Sequence, residues 1–520
     1  MAEENSSWVQ TVVFSPPSLQ DNTADADRLV RALKHRLAVD PFELHIDLEI
    51  LQELSELLRQ SNYNVRCTVV RDRRRWFLAG IQNAAANNLP VGLAVDLGTT
   101  KVVLRILDLC TGRILNEAVF DNPQIAVGAD VLTRVHYAGE GDGAQDLHKR
   151  IIEAINRQAE TLCRSCGLTP AQIVLMAVAG NTTMTHLFLG LNPYWIIREP
   201  YTPAVNRPGL IRARDLGLQA GTGARVFVFP NSGSYFGGDV IAGILSSGLY
   251  QMEETAIFVD VGTNAEVVLG NRHWLIACAG AAGPALEGGV TQMGATAGPG
   301  VIDRIRIDSD TRRFHIHTID ELTPCGICGS GLIDLAAQML TAGMVDIRGR
   351  YLPESCPQRF VHTDGTVHLV ILPAEETAAG AALTIGQAEF DSLIRSKAAM
   401  YTILETITGT VGIDLQSIDR FFVAGTFGAF IQPESAITIG MLPDLPRDRF
   451  QVLGNSSLEG AARVLTSPAA MDEVDHIRDR VTYLELNVNQ DFMLRFSAAK
   501  FLPHTDLSRF PSIADRLRRH

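Results

Sequence analysis

Residues 93–104 read LAVDLGTTKVVL, and residues 257–269 read IFVDVGTNAEVVL. Each places V-D-x-G-T between two apolar, β-branched runs, the pattern of a strand, a tight polar turn and a second strand. Asp96 and Asp260 are 260 − 96 = 164 residues apart. That separation is too long for a short-period array and suits one unit used once in each of two lobes. A buried strand ending in an aspartate presents carboxylate oxygens at its C-terminal end, where they suit a hard cation such as Mg²⁺. Gly98 and Gly262 let successive N–H groups approach phosphate oxygens with no Cβ in the way. Thr99, Thr100, Thr263 and Asn264 add side-chain donors. Lys101, one of five lysines among 45 basic residues, adds a positive charge. Two such turns suit a nucleoside triphosphate and its metal, with Asp96 and Asp260 as the metal ligands and the residues that organise an attacking water. A single D-x-G-T is more often only a turn; the second copy in a matched context argues for the site.

Working outward, FFVAGTFGAF at 421–430 runs a strand into Gly425 and Gly428, followed by the helix-start pattern Pro433-Glu434-Ser435-Ala436. Closely spaced glycines at a strand end let an adenosine lie flat against backbone, as in other strand–glycine–helix turns. Gly329 and Gly331 in GICGSG are expected either to approach nucleotide or to form a lobe hinge. Asn181 in AGNTT is a candidate phosphate or water contact. Between these motifs, short β-branched strands, glycine turns and helical stretches such as 147–163, 330–343 and 387–407 alternate. That texture indicates an α/β protein with ligands at strand ends.

The 520 residues are 46% apolar and 20% charged, a globular composition with room for two to four domains. The net charge of −13 argues against a general nucleic-acid binder, which needs a basic face. No apolar run approaches the ~20 residues needed to cross a bilayer, and MAEENSSWVQ does not resemble a signal peptide. Neither a membrane nor a nucleic-acid partner is expected, and the cytoplasm is the default location. Residues 1–90 read as a small α+β segment, with Ile50, Leu51, Leu54, Leu57 and Leu58 at helical spacing. NVRCTVV and WFLAGI follow as apolar stretches around a solvated RDRRR. The expected organisation is a linker domain at 1–90, a first lobe at 91–205, a second lobe at 206–505 and a peripheral basic tail at 506–520.

The order and spacing of the two aspartate turns and the glycine turn resemble the actin, heat-shock chaperone and sugar-kinase superfamily of ATPases. The resemblance implies a two-lobed fold of duplicated ribonuclease H-like mixed sheets. Within it, GADVLTR (128–134), AGNTTMTHLFLGLNP (179–193), CAGAAGPALEGG (278–289), GICGSGLID (326–334), AGTFGAFIQPESAITIGMLPD (424–444), GNSSLEGA (454–461) and YLELNVNQDFMLRF (483–496) resemble the reductive activators of corrinoid-dependent methyl-transfer enzymes. FSPPSLQDNTADADRLVRAL (14–33) is similar to the linker region of that family. The resemblance implies an ATPase, with ATP and Mg²⁺, that returns inactive Co(II) of a corrinoid protein or methyltransferase to Co(I). It also implies a homodimer.

Members of that family usually carry an iron–sulfur module ahead of the linker. Residues 1–90 contain only Cys67, whereas such a cluster needs four closely spaced thiolates. No cluster is therefore recognisable: electrons come from a separate low-potential donor, or the sequence is a truncated form, or it is a paralogue that no longer transfers electrons itself. Cys163/Cys166 and Cys325/Cys328 form C-x-x-C pairs that read as packed thiols rather than a metal site. His186 reads as a structural histidine ahead of a corrinoid or phosphate contact. Asn264-Ala265 stands where relatives resemble Asn-Gly, suggesting a second turn of slightly different shape. Two other functions fit the same scaffold: a small-molecule kinase, and a nucleotide-sensing scaffold that does not hydrolyse.

Overall fold

The computed structural model describes residues 7–40, 42–262, 264–280, 293–295, 297–363, 365–425, 431–486 and 492–517. Thr263 and Gly428, and most of the 278–289 motif, lie outside these residues. The described chain forms two compact units: Met1–Ser246 with Ser456–Arg480, and Ser247–Asn455 with Val481–His520.

The first unit begins with an α+β module. β1 (Val9–Val13), β2 (Leu44–His45), β3 (Asn64–Asp72) and β4 (Arg75–Asn83) form a sheet in the order β1-β3-β4-β2. Helices Asp25–Leu37 and Leu48–Gln60 share its core. Leu29, Leu33 and Leu37 from one helix and Ile50, Leu54 and Leu58 from the other meet Val65, Cys67 and Val69. The apolar stripe on the second helix is narrower than its sequence suggests, since Leu51 is exposed and Leu57 half-buried. The module is tied to the sheet that follows by Arg225, whose guanidinium donates to both Asp47 oxygens at 2.8 and 2.9 Å with both side chains buried.

β5 (Val91–Leu97), β6 (Lys101–Asp108), β7 (Ile114–Asp121), β8 (Ile173–Gly180), β9 (Leu210–Arg212) and β10 (Arg225–Val228) build the first large sheet, ordered β7-β6-β5-β8-β10-β9. Three antiparallel strands come first, and β8 and β10 then add in parallel. Alternate residues of β5 serve different neighbours, as strand periodicity requires. Leu93, Val95 and Leu97 enter the core with Leu147, Ile151 and Ile155 of helix Gly143–Ser165. Gly92 meets Leu465 of helix Ser456–Thr466; a Cβ there would lie 3.1 Å from its Cδ1.

Two expected boundaries change here. The strands at 210–212 and 225–228 complete the first sheet, so the first lobe does not end at 205. Residues 456–480, expected in the second lobe, belong to the first unit. The returning helix fits because Gly460 lets it reach the backbone of helix Gly238–Ser247, where a Cβ would stand 2.2 Å from Ala242 O. Its Val464 carbonyl also accepts from Trp8 Nε1 at 2.9 Å.

The second unit repeats the plan. β11 (Ala256–Val261), β12 (Ala265–Gly270) and β13 (Leu275–Gly280) are antiparallel, with two small sheets inserted after them. These are β14 (Val301–Ile307), β15 (Phe314–Thr318) and β16 (Gly326–Ile327), then β17 (Phe360–Thr363), β18 (Thr366–Leu372) and β19 (Leu383–Gly386). β20 (Arg420–Ala424) and β21 (Phe450–Gly454) then add in parallel to β11, and β22 (Val481–Tyr483) to β13, giving β21-β20-β11-β12-β13-β22. The run β13-β12-β11-β20-β21 matches β7-β6-β5-β8-β10 strand for strand, which is the expected duplication.

The chain end is not peripheral through residue 517. Phe510 and Ile513 are buried in the core of the second unit, and Ser512 N–H donates to Asp444 Oδ2 at 2.8 Å. Lys397, fully buried, donates to the Pro503 carbonyl at 2.7 Å and to that of Phe501. Among the described residues, no helix is long and apolar enough to cross a membrane.

Candidate functional site

The first turn sits at the end of β5. Asp96 pairs with Val103 of β6 and Ala179 of β8, so the strand end is flanked on both sides. Gly98 is required by space: a Cβ there would lie 2.4 Å from Lys101 O. Side chains then grip the turn. Asn122 Nδ2 donates to Gly98 O at 2.9 Å, and Arg134 Nη2 donates to Thr99 O at 2.7 Å. Asn181 Nδ2 donates to Thr99 Oγ1 at 3.1 Å, while Thr100 O accepts from Asn122 N–H at 2.8 Å. Asn181 also caps helix Thr182–Phe188 by accepting from Met184 N–H at 2.9 Å. Its sequence neighbourhood therefore serves both the turn and the helix entry.

Arg134 is the keystone of this grip. It is fully buried and also donates from Nε to Gly128 O at 2.8 Å. Burial lowers its pKa to about 10, so it stays charged at neutral pH and its donors remain in place. Asp130 sets up the helix that carries it, accepting from Thr133 N–H at 2.9 Å as the N-cap. The GADVLTR motif thereby gains a mechanical meaning. Lys101 pairs with Asp121 at 2.6 Å on the half-exposed rim of β6 and β7.

One residue escaped the sequence reading. Asp239, in the first turn of helix Gly238–Ser247, is preceded by Gly237, where a Cβ would stand 2.4 Å from Asp239 Oδ1 and 2.6 Å from the Cα of Asn181. This close packing brings Asp239 up to the Asn181 end of the first turn. Burial above all, with the charge of Asp96 adding to it, pushes the Asp239 carboxyl up to about 7, against the Val240 N–H donated to it at 2.9 Å. A carboxyl that changes protonation near neutrality beside a strand-end aspartate is suited to general acid–base work. The available signal was FGGDV at 236–240, paired glycines before an aspartate at a helix start.

In the second unit, Asp260 lies between Glu266 of β12 and Ala424 of β20. Gly262 N–H donates to Asn264 O at 2.9 Å and closes the turn through main chain. Ala265 is already in the strand, paired with Val261 and Gly280, so no left-handed conformation is asked of it and the expected change of turn shape loses its basis. Gly425 has φ +93°, and a Cβ there would lie 2.5 Å from Val261 O and 2.6 Å from Asp260 Oδ1. Gly425, just after β20, thus sits directly on the second aspartate.

Gly329 opens helix Gly329–Thr341, and Gly331 has a packing reason. A Cβ on Gly331 would lie 2.5 Å from Ile302 O and 2.9 Å from Ile327 Cγ1, so it lets helix Gly329–Thr341 abut β14 and β16. Cys328 Sγ donates to Ile302 O at 3.3 Å in the same contact. Cys163 is buried, and burial pushes its thiol up to about 11. Among the described residues, no group of three or more His, Cys, Asp or Glu could hold a metal ion. His186 is fully buried with its Nδ1 2.7 Å from Thr182 O and its Nε2 accepting from Ala204 N–H at 3.0 Å. Both ring nitrogens are used by the fold, and burial lowers its pKa.

Residues 254–514 match the model of the C-terminal domain of RACo, the ASKHA domain; residues 91–252 match the RACo middle region, and residues 4–87 the RACo linker region. The chain belongs to the RACo family. A solved structure titled a reductive activator for corrinoid, iron–sulfur protein is 38% identical, with a TM-score of 0.88 over 97% of this chain and 80% of that one. Corrinoid activation enzyme RamQ of Eubacterium limosum is 28% identical over 86% of this chain and 76% of its own length. The [Co(II) methylated amine-specific corrinoid protein] reductase of Methanosarcina barkeri is 23% identical over 75% and 73% of the respective chains. Membership of the RACo family fits the paired sheets and the position of both aspartates on them, and its ASKHA domain makes this an actin-like fold.

Proposed function

We propose that this protein is an ATP-dependent reductive activator of a corrinoid protein or corrinoid-dependent methyltransferase. The observation that supports it most directly is the pair of V-D-x-G-T turns at equivalent strand ends of two sheets with one strand order, in a chain of the RACo family. Glycine is required by space at both strand ends, Gly98 within the first turn and Gly425 beside the second, and the aspartate oxygens are the donors a magnesium–nucleotide takes. Asp96 and Asp260 would hold the Mg²⁺, which supplies charge neutralisation for the phosphates. Thr99, Thr100, Lys101, Asn181, Gly262, Thr263 and Asn264 contact phosphate in this reading, and Gly425 and Gly428 face adenosine. Asp239 receives the proton of the attacking water.

Hydrolysis here is a matter of positioning and charge stabilisation. In this reading ATP binds one conformation of the protein more tightly than another, and only such differential affinity can drive a conformational change. That change assists passage of one electron from a separate low-potential donor to Co(II), giving Co(I) and the oxidised donor. The protein acts as a homodimer in the cytoplasm.

The test is an absorbance assay of Co(II)-to-Co(I) conversion with a corrinoid protein, a low-potential reductant and ATP. ATP-dependent conversion, lost in Asp96→Ala and Asp260→Ala, is the expected result. Conversion that ignores ATP, or ATP turnover intact in both variants, would overturn the assignment.

A further inference from the structure

The N-terminal sheet ends on an open edge. β1 pairs with β3 and, among the described residues, has no strand on its other side. Phe14 N–H donates to Tyr63 O at 3.2 Å, and Trp8 O accepts from Val69 N–H at 2.9 Å. In an antiparallel pair alternate residues turn their main-chain groups to the partner. Gln10 and Val12 therefore face β3, and the N–H and C=O of Thr11 and Val13 face outward. Pro16 and Pro17 end the strand. Helix Asp25–Leu37 runs beside this edge and leaves a groove of about 490 Å³ between them.

The wall opposite the edge is basic: among the described residues Arg28, Arg31, His35 and Arg36 line it, against one acid, Asp21. Asp21 is taken up by Arg28 at 2.7 Å, and Arg28 itself is buried. Arg36 Nε donates to Gln10 Oε1 at 3.3 Å. Arg31 and His35 are exposed. Val13, on the strand, is 71% exposed. On a protein of net charge −13 this groove is a local reversal of sign, and its two walls ask for different things. An edge strand offers main-chain hydrogen bonds to another extended chain, and the helix offers cations to the side chains of that chain.

We propose that the groove between β1 and helix Asp25–Leu37 docks an extended acidic segment of a partner protein, added as a strand to β1 with its carboxylates against Arg31 and His35. A phosphorylated or lipid surface would meet the cations but leave the strand edge unused. A basic or neutral segment would use the edge but meet the wrong wall. This site is independent of the nucleotide turns, so its failure leaves that reading untouched.

The experiment is fluorescence anisotropy of the full chain at low salt with a labelled ten-residue peptide of alternating Glu and Thr. Its Gln–Thr and Lys–Thr counterparts and a Glu–Thr peptide N-methylated at alternate residues serve as probes of the two walls. Saturable binding of the Glu–Thr peptide is expected, at least tenfold weaker for the other three. The surface variant Arg31→Glu with His35→Glu should weaken it at least tenfold with circular dichroism and ATP turnover unchanged. Hydrogen exchange at the amides of Thr11 and Val13 should slow when peptide binds. Four results would overturn the proposal: no saturable binding, binding indifferent to N-methylation or to the variant, capture by phosphatidylserine vesicles that peptide does not compete, and self-association of the chain abolished by the same variant.

Discussion

In the first lobe the D-x-G-T turn is gripped by side chains from three separate segments: Asn122 on Gly98 O, Arg134 on Thr99 O and Asn181 on Thr99 Oγ1. In the second lobe the turn is closed by its own main chain, Gly262 to Asn264, and abutted by the backbone of Gly425. Among the described residues, the same five-residue motif at the same strand position thus shows different contacts in the two lobes. A turn clamped by side-chain donors costs energy to move, because each clamp lost leaves a part-buried oxygen of the turn without its donor. A turn shaped by backbone contact can follow the strand and glycine loop beside it. From the contacts among the described residues, the first turn is expected to be the costlier of the two to displace.

The sharpest way to break that comparison is to remove each aspartate. Asp96→Ala and Asp260→Ala should each lower ATP turnover by on the order of 10²–10³-fold, measured as phosphate release from folded protein. A variant that retains turnover would show that the two turns are not functionally equivalent. Next come the glycines. Gly425→Ala places a Cβ on a residue at φ +93° against Asp260, a strain of about 1–3 kcal/mol. Nucleotide affinity by calorimetry should fall about tenfold, a step of about 1.4 kcal/mol. Gly98→Ala should act similarly, since the atom it meets is backbone.

A smaller effect sharpens the distinction. Arg134→Met leaves Thr99 O and Gly128 O without their donor, a loss of about 1–3 kcal/mol in denaturant unfolding, whereas Asn122→Ala or Asn181→Ala should cost about 0.5–1.5 kcal/mol. The smallest is a pH effect. Asp239 holds its proton up to about pH 7 in the fold, against 3.8 for the free carboxyl. The unfolded chain releases its proton first as pH rises, so stability falls between about pH 4 and 7 and levels off above. Asp239→Asn should flatten that fall, seen as a smaller difference in Tm between pH 5 and pH 7.5 without magnesium.

Much of this was legible because strand-end motifs are local. Alternation in LAVDL and IFVDV, followed by a turn that tolerates no Cβ, is written in a dozen consecutive residues. The structure puts Gly425 against Asp260, as parallel pairing of β20 with β11 requires. What stayed hidden depends on distant partners. Arg134 reads as one arginine among forty until its helix is seen to aim it at Thr99 O. Asp239 lies 143 residues beyond Asp96 by 239 − 96 and joins it only when β8 and β10 are laid beside β5. Glycine in GICGSG looks like a ligand loop, yet Gly331 serves helix packing, because the two uses share one cause, absence of a Cβ.

The sequence by itself determined that this protein has two related acidic strand turns, an α/β texture and an α+β N-terminal stretch, since each follows from periodicity and turn chemistry over short stretches. Only the tertiary structure decided that residues 456–480 return to the first unit, that residues 506–517 are anchored in the second, and that β1 ends in a basic groove. These depend on complementarity between surfaces far apart in the chain: Gly460 against Ala242, Ser512 on Asp444, and a helix of arginines beside an unpaired edge. No local pattern encodes such a match, because the energy resides in the contact and not in either partner alone.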